Sequence, residues 1–140
     1  MTQLLPFIVG NETYALELID IQEIVETRNI YPFPAAPEQI SGAIAFHGRI
    51  VPVVNLPHLL GCNADNVCPR LIVLANKYGP FALAVDQLRP IIGMEKGFVK
   101  DDDPALQQPY VRGVFAWREE MISLLDLKYV ETAIETACMS

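Results

Sequence analysis

The residues best suited to metal chemistry are two histidines and three cysteines. His58 and Cys62 lie four positions apart, a spacing that puts both side chains on one face of a helix, and His47 or Cys68 would have to complete a four-ligand site. The odd number of cysteines and their irregular spacing argue against a disulfide framework. Because ordinary core or surface positions explain these residues as well, we expect no metal and no cofactor.

Motifs for enzymatic catalysis are sparse. The serines at positions 41, 123 and 140 lie outside any GxSxG motif, and the eight glycines form no phosphate-binding loop. The acidic run Asp101–Asp103 could hold a cation weakly, but a solvated loop is the simpler interpretation. The sequence therefore predicts a protein that is not an enzyme. A small-ligand-binding protein that uses a cleft between two barrels, with His47, His58 and Cys62 nearby, is the alternative.

The composition indicates a folded domain that leaves some apolar surface exposed. The chain has 140 residues, 51% of them hydrophobic, and 19% charged. This apolar content excludes a disordered chain, and the few charges leave apolar surface exposed for a partner. Ten Lys and Arg against 17 Asp and Glu give a formal charge of −7, which repels phosphate backbones and makes nucleic acid an unsuitable partner.

The apolar runs are too short to cross a membrane. The runs at 71–75 and 81–85 fall far below the roughly 20 residues that a spanning helix needs, so we expect no direct membrane insertion. The N-terminal sequence MTQLLPFIVG has no basic leader before its apolar stretch, so we expect no signal peptide. The cytoplasm is the expected compartment.

The sequence echoes itself. Residues 42–56 (GAIAFHGRIVPVVNL) match residues 113–127 (GVFAWREEMISLLDL), and residues 14–25 match residues 81–92 in the same order. We interpret the chain as a single domain, 1–140, made of two related halves at about 5–65 and 70–135. The alternative is that any two β-hairpins share apolar positions by chance.

Most of the chain shows strand patterns separated by turn signals. Four hairpins are expected, with turns at Gly10-Asn11, at 47–49, at 76–79 and between 117 and 120. Short helices are expected at 20–25, 57–60 and 127–137, and loops at 30–37 and 101–109. Many short strands in two repeated halves predict a mainly β fold of two small barrels packed together.

Five segments together resemble the CheW family of bacterial chemotaxis coupling proteins. They are FIVGNETYAL, IQEIVE, GAIAFHGRIVPVVNL, FALAVDQL and VRGVFAWREEMISLLDL, and the resemblance covers about residues 4 to 130. It implies two five-stranded SH3-like β-barrels around a shared hydrophobic core. It also implies a non-catalytic adaptor between the cytoplasmic tips of methyl-accepting chemoreceptors and the regulatory domain of a CheA-type histidine kinase.

The resemblance also assigns residues to two docking surfaces. Receptor binding falls on Ile21, Glu23, Gly42, His47, Arg49 and Ile91. Kinase binding falls on Ile50, Val51 and Val53. For the apolar members of both sets, packing in the core is the alternative, and for Gly42 it is backbone geometry alone.

Two positions depart from the family pattern. His47 stands where the family has an arginine associated with receptor binding, and an imidazole lacks the planar, permanently charged fork of a guanidinium. Arg49 lies two residues on and could substitute in part. Asn55 replaces a common aspartate. The alternative function is therefore a divergent coupling-like module that regulates a non-flagellar array, for pilus or gliding motility.

Overall fold

Twelve strands and two helices are found in the residues that the structure describes. This computed structural model describes residues 2–26, 29–32, 34–62, 70–75, 77, 79, 81–96 and 98–139. The strands are β1 (Gln3–Val9), β2 (Glu12–Glu17), β3 (Ile21–Glu26), β4 (Ile40–Phe46), β5 (Arg49–Asn55), β6 (Arg70–Leu74), β7 (Ala82–Val85), β8 (Gln87–Leu88), β9 (Ile92–Gly93), β10 (Phe98–Lys100), β11 (Val111–Trp117) and β12 (Glu120–Leu125). The helices are α1 (Leu56–Leu59) and α2 (Leu127–Met139), and short 3-10 turns cover Leu18–Asp20, Met94–Lys96 and Pro104–Gln107.

The four expected hairpins are confirmed by the antiparallel pairing of their strands, and positions 76 and 78 of the third turn lie outside the described residues. Between β4 and β5, His47 and Gly48 both have positive φ, +48° and +77°, and Phe46 pairs with Arg49. A two-residue turn in which both residues have positive φ has a twist that matches the twist of the flanking strands. Arg118 has a φ of +56° at the corresponding place between β11 and β12.

The strands form two sheets. The first has the order β10-β11-β12-β2-β1-β8, with β9 also paired to β1, and the second has the order β3-β6-β7-β5-β4. Tyr31, which follows β3, exchanges two 2.8 Å backbone hydrogen bonds with Ala43 of β4 and so curls the second sheet toward closure. The predicted mainly β fold of two barrel-like units is confirmed, with seven short strands rather than five in the first sheet.

Three apolar clusters form the core of the protein. One fills the second sheet and contains Ile44, Phe46, Val51, Val53, Leu71, Val73 and Ala82. One fills the first sheet and contains Leu4, Ala15, Ile92, Phe115, Ile122 and Leu124. The third and largest lies between the sheets, where Phe7, Leu16, Leu56, Ile72 and Leu83 meet Leu127, Val130 and Ile134 of α2. Two cores and a shared seam therefore account for much of the high apolar content.

The two sheets do not follow the two halves of the sequence. β12 lies parallel to β2 with Leu124 opposite Ala15, and β5 lies parallel to β7 with Val53 opposite Ala82. Val53 and Leu124 hold matching positions in one sequence echo, and Ala82 and Ala15 hold matching positions in the other. Each long hairpin thus takes its parallel neighbour from the other half, so the halves are interleaved in space.

The helix expected at 20–25 is wrong. Ile21, Ile24 and Val25 have helical spacing, but the segment is β3, paired antiparallel with β6. Short apolar runs do not distinguish a helix from a strand, and here pairing with a distant strand decides the conformation. The expected helices at 57–60 and 127–137 are confirmed as α1 and α2. Within the described residues, no helix has the length and apolar content needed to cross a membrane.

Candidate docking surfaces

The turn between β4 and β5 brings two of the predicted receptor-binding residues together. Nε2 of His47 lies 3.5 Å from Oε1 of Glu23 on β3, and both side chains are exposed. The His47 ring packs edge-on against Phe46, with ring centroids 4.3 Å apart, and this contact orients the imidazole toward β3. Arg49 is exposed beside the turn. His47 and Arg49 at the hairpin tip and Glu23 on β3 are therefore all exposed to solvent.

Two other predicted receptor-binding residues lie beneath this surface. Ile21 is half-buried and packs against the seam between the sheets. Gly42 is buried in the irregular pairing of β4 with β5, and a Cβ there would collide with the carbonyl oxygen of Tyr31 and lie 2.8 Å from Cγ2 of Ile30. Ile21 therefore supports β3, which carries Glu23, and Gly42 supports β4, which leads into the turn at His47.

Ile91 lies on the other sheet from Glu23 and His47. It stands between β8 and β9, the two short strands that pair with β1 of the first sheet. Its side chain is 50% exposed, so it is available to a partner. The predicted receptor-binding set is therefore divided between the two sheets.

The three predicted kinase-binding residues alternate along β5. Ile50 is 72% exposed, whereas Val51 and Val53 are 1% and 0% exposed and belong to the core of the second sheet. Successive side chains of a strand point to opposite faces, which explains the difference. Of the three side chains, Ile50 is the one that a partner protein would touch directly.

Several exposed apolar side chains were not expected from the sequence. They are Ile19, Ile24, Tyr31, Val99 and Met121. The sequence echo carried a signal for two of them, because Met121 matches Ile50 and Ile24 matches Ile91. The β4–β5 and β11–β12 hairpins thus each carry an exposed apolar residue within three positions of a positive-φ turn residue, as expected of surfaces that dock proteins.

Within the described residues, those considered for metal chemistry do not come together. His58 lies 3.4 Å from Glu38, Cys68 lies outside the described residues, and the described part of the chain contains no cluster of three His, Cys, Asp or Glu ligands. Burial raises the pKa of the Cys62 thiol, and the nearby carboxylates Asp86 and Glu12 raise it further. A thiol with a raised pKa is a weak nucleophile and a weak metal ligand at neutral pH.

The fold and its exposed side chains define a protein-binding scaffold built from two small barrels. A family model described as "CheW-like domain" matches residues 3–132. The chain belongs to the CheW-like domain family, the family of chemotaxis coupling adaptors.

Named relatives and a solved structure agree with this assignment. The chain is 22% identical over 134 residues to Chemotaxis protein CheW of Treponema pallidum (strain Nichols), covering 89% of this chain and 79% of the relative. It is 27% identical over 133 residues to Chemotaxis protein CheW of Rhizobium meliloti (strain 1021), covering 91% and 86%. The crystal structure of scaffolding protein TtCheW from Thermoanaerobacter tengcongensis has the same fold, with a TM-score of 0.77, 23% identity and coverage of 89% and 88%.

Proposed function

We propose that this adaptor is non-catalytic and works in the cytoplasm, where it holds the tip of a methyl-accepting chemoreceptor and the regulatory domain of a CheA-type histidine kinase in one assembly. The family match over residues 3–132 is the observation that carries this proposal. Interfaces of this kind depend on a few apolar anchors surrounded by polar groups. The exposed isoleucines and the charged hairpin tip supply both components.

The receptor-binding surface is proposed around the His47–Glu23 pair. Glu23 offers an exposed carboxylate on β3, and Arg49 offers an exposed guanidinium at the start of β5, beside the turn that carries His47. Opposite charges on a receptor tip would steer and orient the encounter more than they would add affinity. Ile21 and Gly42 contribute by supporting β3 and β4, and Ile91 provides an apolar contact from the first sheet.

The kinase-binding surface is proposed around Ile50. Its exposed side chain lies on the outer face of β5, next to Ala45 of β4, so the two residues form an apolar spot on the β4–β5 hairpin. Val51 and Val53 face the core on the same strand and hold β5 in place. Their role in kinase binding is therefore to fix the backbone that presents Ile50.

The test is a binding experiment with purified components. The chain is titrated separately into a CheA-type regulatory domain and into a receptor-tip preparation, and then into both together. We expect binding to each partner alone and a ternary complex in the mixture. Absence of binding to both partners would overturn the coupling function.

A further inference from the structure

The two sheets repeat one arrangement of strands. The first sheet contains the order β11-β12-β2-β1-β8, and the second sheet has the order β4-β5-β7-β6-β3. The sequence echo matches the segments in the same way, so that Arg118 corresponds to His47 and Pro90 corresponds to Glu23. Because matching segments occupy matching places in the two sheets, each residue of the β4–β5 hairpin can be compared with its counterpart on the β11–β12 hairpin.

Both hairpins hold a basic residue of the turn against the aromatic residue that precedes it. His47 has a φ of +48°, and its ring centroid lies 4.3 Å from that of Phe46. Arg118 has a φ of +56°, and its Cζ lies 4.4 Å from the centroid of the Trp117 ring, a cation–π contact. The same backbone conformation and the same kind of contact therefore orient both basic side chains.

The two basic residues differ in whether they meet a carboxylate of the chain. Nε2 of His47 lies 3.5 Å from Oε1 of Glu23. The counterpart of Glu23 is Pro90, which has no charge, and no ion pair among the described residues includes Arg118. Arg118 thus lacks the internal carboxylate that its counterpart has.

A cavity of about 240 Å³ lies where that carboxylate would be, since both Arg118 and Pro90 line it. Further lining residues are Pro6, Arg89, Ile92, Trp117 and Glu120. Oε1 of Glu120 accepts hydrogen bonds of 2.7 Å from Thr13 and 2.8 Å from Arg89, so this carboxylate is held on the cavity wall. With two guanidinium groups and one carboxylate, the cavity is positive in a chain whose net charge is −7.

Exposed apolar side chains flank this cavity. Ile91, which follows Pro90, is 50% exposed, and Met121, which follows Glu120, is 40% exposed. A free small acid inside the cavity would leave both side chains in water, whereas a protein segment that enters the cavity would cover them. The surroundings of the cavity therefore favour a protein as its occupant.

We propose that this cavity receives a glutamate side chain of a partner protein. The carboxylate would lie against Arg118 as Glu23 lies against His47, and a guanidinium can bind a carboxylate through two parallel hydrogen bonds. The methylene groups of the glutamate would pack against Pro6, Pro90 and Ile92. The proposal does not depend on the receptor-binding role of Ile91.

The first experiment uses Trp117, the single tryptophan of the chain, as a fluorescent reporter inside the cavity. The full chain is titrated with acetyl-Leu-Glu-Leu-amide, with the same peptide carrying glutamine in place of glutamate, and with sodium glutarate. We expect the glutamate peptide to change the emission with a dissociation constant of roughly millimolar magnitude and to bind at least about fivefold more tightly than either control.

Three results of this titration would overturn the proposal. One is the absence of a saturable change in emission with the glutamate peptide up to about 20 mM. Another is equal affinity of the glutamine peptide, which would show that the carboxylate is not recognised. The third is equal affinity of glutarate, which would assign the cavity to free small acids.

The second experiment removes the positive charge. Arg118→Gln is expected to raise the dissociation constant of the glutamate peptide about tenfold, because it removes the donors to the carboxylate. Arg112→Gln is the matched control, since Arg112 lies on the same hairpin, pairs with Glu17 at 3.1 Å and does not line the cavity. Equal weakening by both variants would indicate general surface attraction and overturn the site.

The third experiment supplies the missing carboxylate from within the chain. Pro90→Glu is expected to raise the dissociation constant of the peptide at least about tenfold relative to Pro90→Gln, because the new carboxylate would pair with Arg118 as Glu23 pairs with His47. Equal affinities of the two Pro90 variants would contradict the proposal. If either variant fails to fold, as judged by circular dichroism, the comparison of Arg118→Gln with Arg112→Gln decides alone.

Discussion

His47 and Glu23 connect the tip of one hairpin to an edge strand of the same sheet. Nε2 of His47 and Oε1 of Glu23 are 3.5 Å apart, and both side chains face solvent. An exposed pair of this kind contributes little to stability. It is therefore well suited to exchange its internal contact for one with a partner.

We expect Glu23→Lys and His47→Asp to weaken binding of the receptor tip about tenfold while the free energy of unfolding changes by less than about 0.5 kcal/mol. Fluorescence anisotropy with a labelled receptor tip measures the first effect, and urea denaturation measures the second. Glu38→Lys is the matched control, because Glu38 forms a similar pair with His58 at 3.4 Å. Unchanged affinity in both hairpin variants would place the receptor interface elsewhere.

Ile50 and Val51 should respond differently to substitution. Ile50→Asp is expected to weaken kinase binding at least about tenfold and leave stability nearly unchanged, because the side chain is exposed. Val51→Ala is expected to lower the free energy of unfolding by about 2 kcal/mol, because it removes two methyl groups from a packed core. Ile19→Asp, at another exposed isoleucine, is the control for added charge. If Ile19→Asp weakens kinase binding as much as Ile50→Asp, the assignment of Ile50 fails.

The two glycines that match in the sequence echo should differ in tolerance. Gly42→Ala is expected to lower the free energy of unfolding by about 2–3 kcal/mol. The added Cβ would collide with the Tyr31 carbonyl, and the backbone at this position cannot shift to relieve the collision. Gly113→Ala should cost less than about 1 kcal/mol, since its Cβ would lie 3.4 Å from Cδ1 of Leu124, an ordinary contact with a flexible side chain. Guanidinium denaturation of both variants measures the difference. Equal losses would show that the approach of Tyr31 to β4 is not tight.

Tyr14 should make the protein less stable in alkaline solution. Burial raises the pKa of Tyr14 above its ordinary value of about 10, so the folded state keeps its proton after the unfolded state has begun to lose it. The stabilisation is complete below pH 10 and is lost as the pH rises from there toward the folded-state pKa. Tyr14→Phe is expected to reduce the fall in stability between about pH 10 and pH 11.5, measured by urea denaturation at each pH. A fall of the same size in Tyr14→Phe and in the unmodified chain would contradict this origin.

The hairpins could be predicted because their causes are local. A turn such as His47-Gly48 needs only residues that accept positive φ between two apolar runs, and both are visible in the sequence. The segment 20–25 could not be assigned in this way. Its apolar spacing fits a helix, and only the distant partner Leu71–Leu74 shows that it is a strand.

The exposure of the candidate docking residues could not be predicted one by one. The resemblance selected the β4–β5 hairpin, and the structure shows that Ile50 is presented while Val51 and Val53 are buried.

The interleaving of the two halves has a consequence for how the protein is made. Thr13 and Glu120 share a 2.7 Å hydrogen bond although they are 107 residues apart in the chain. When a ribosome has released β1 to β5, neither sheet can yet be completed. β2 pairs with β12 and β5 pairs with β7, and neither partner strand has been synthesised at that point. The nascent chain must keep its exposed apolar strands from aggregating until the last hairpin emerges. If the chain were cut near residue 65, neither of the two pieces would therefore fold without the other.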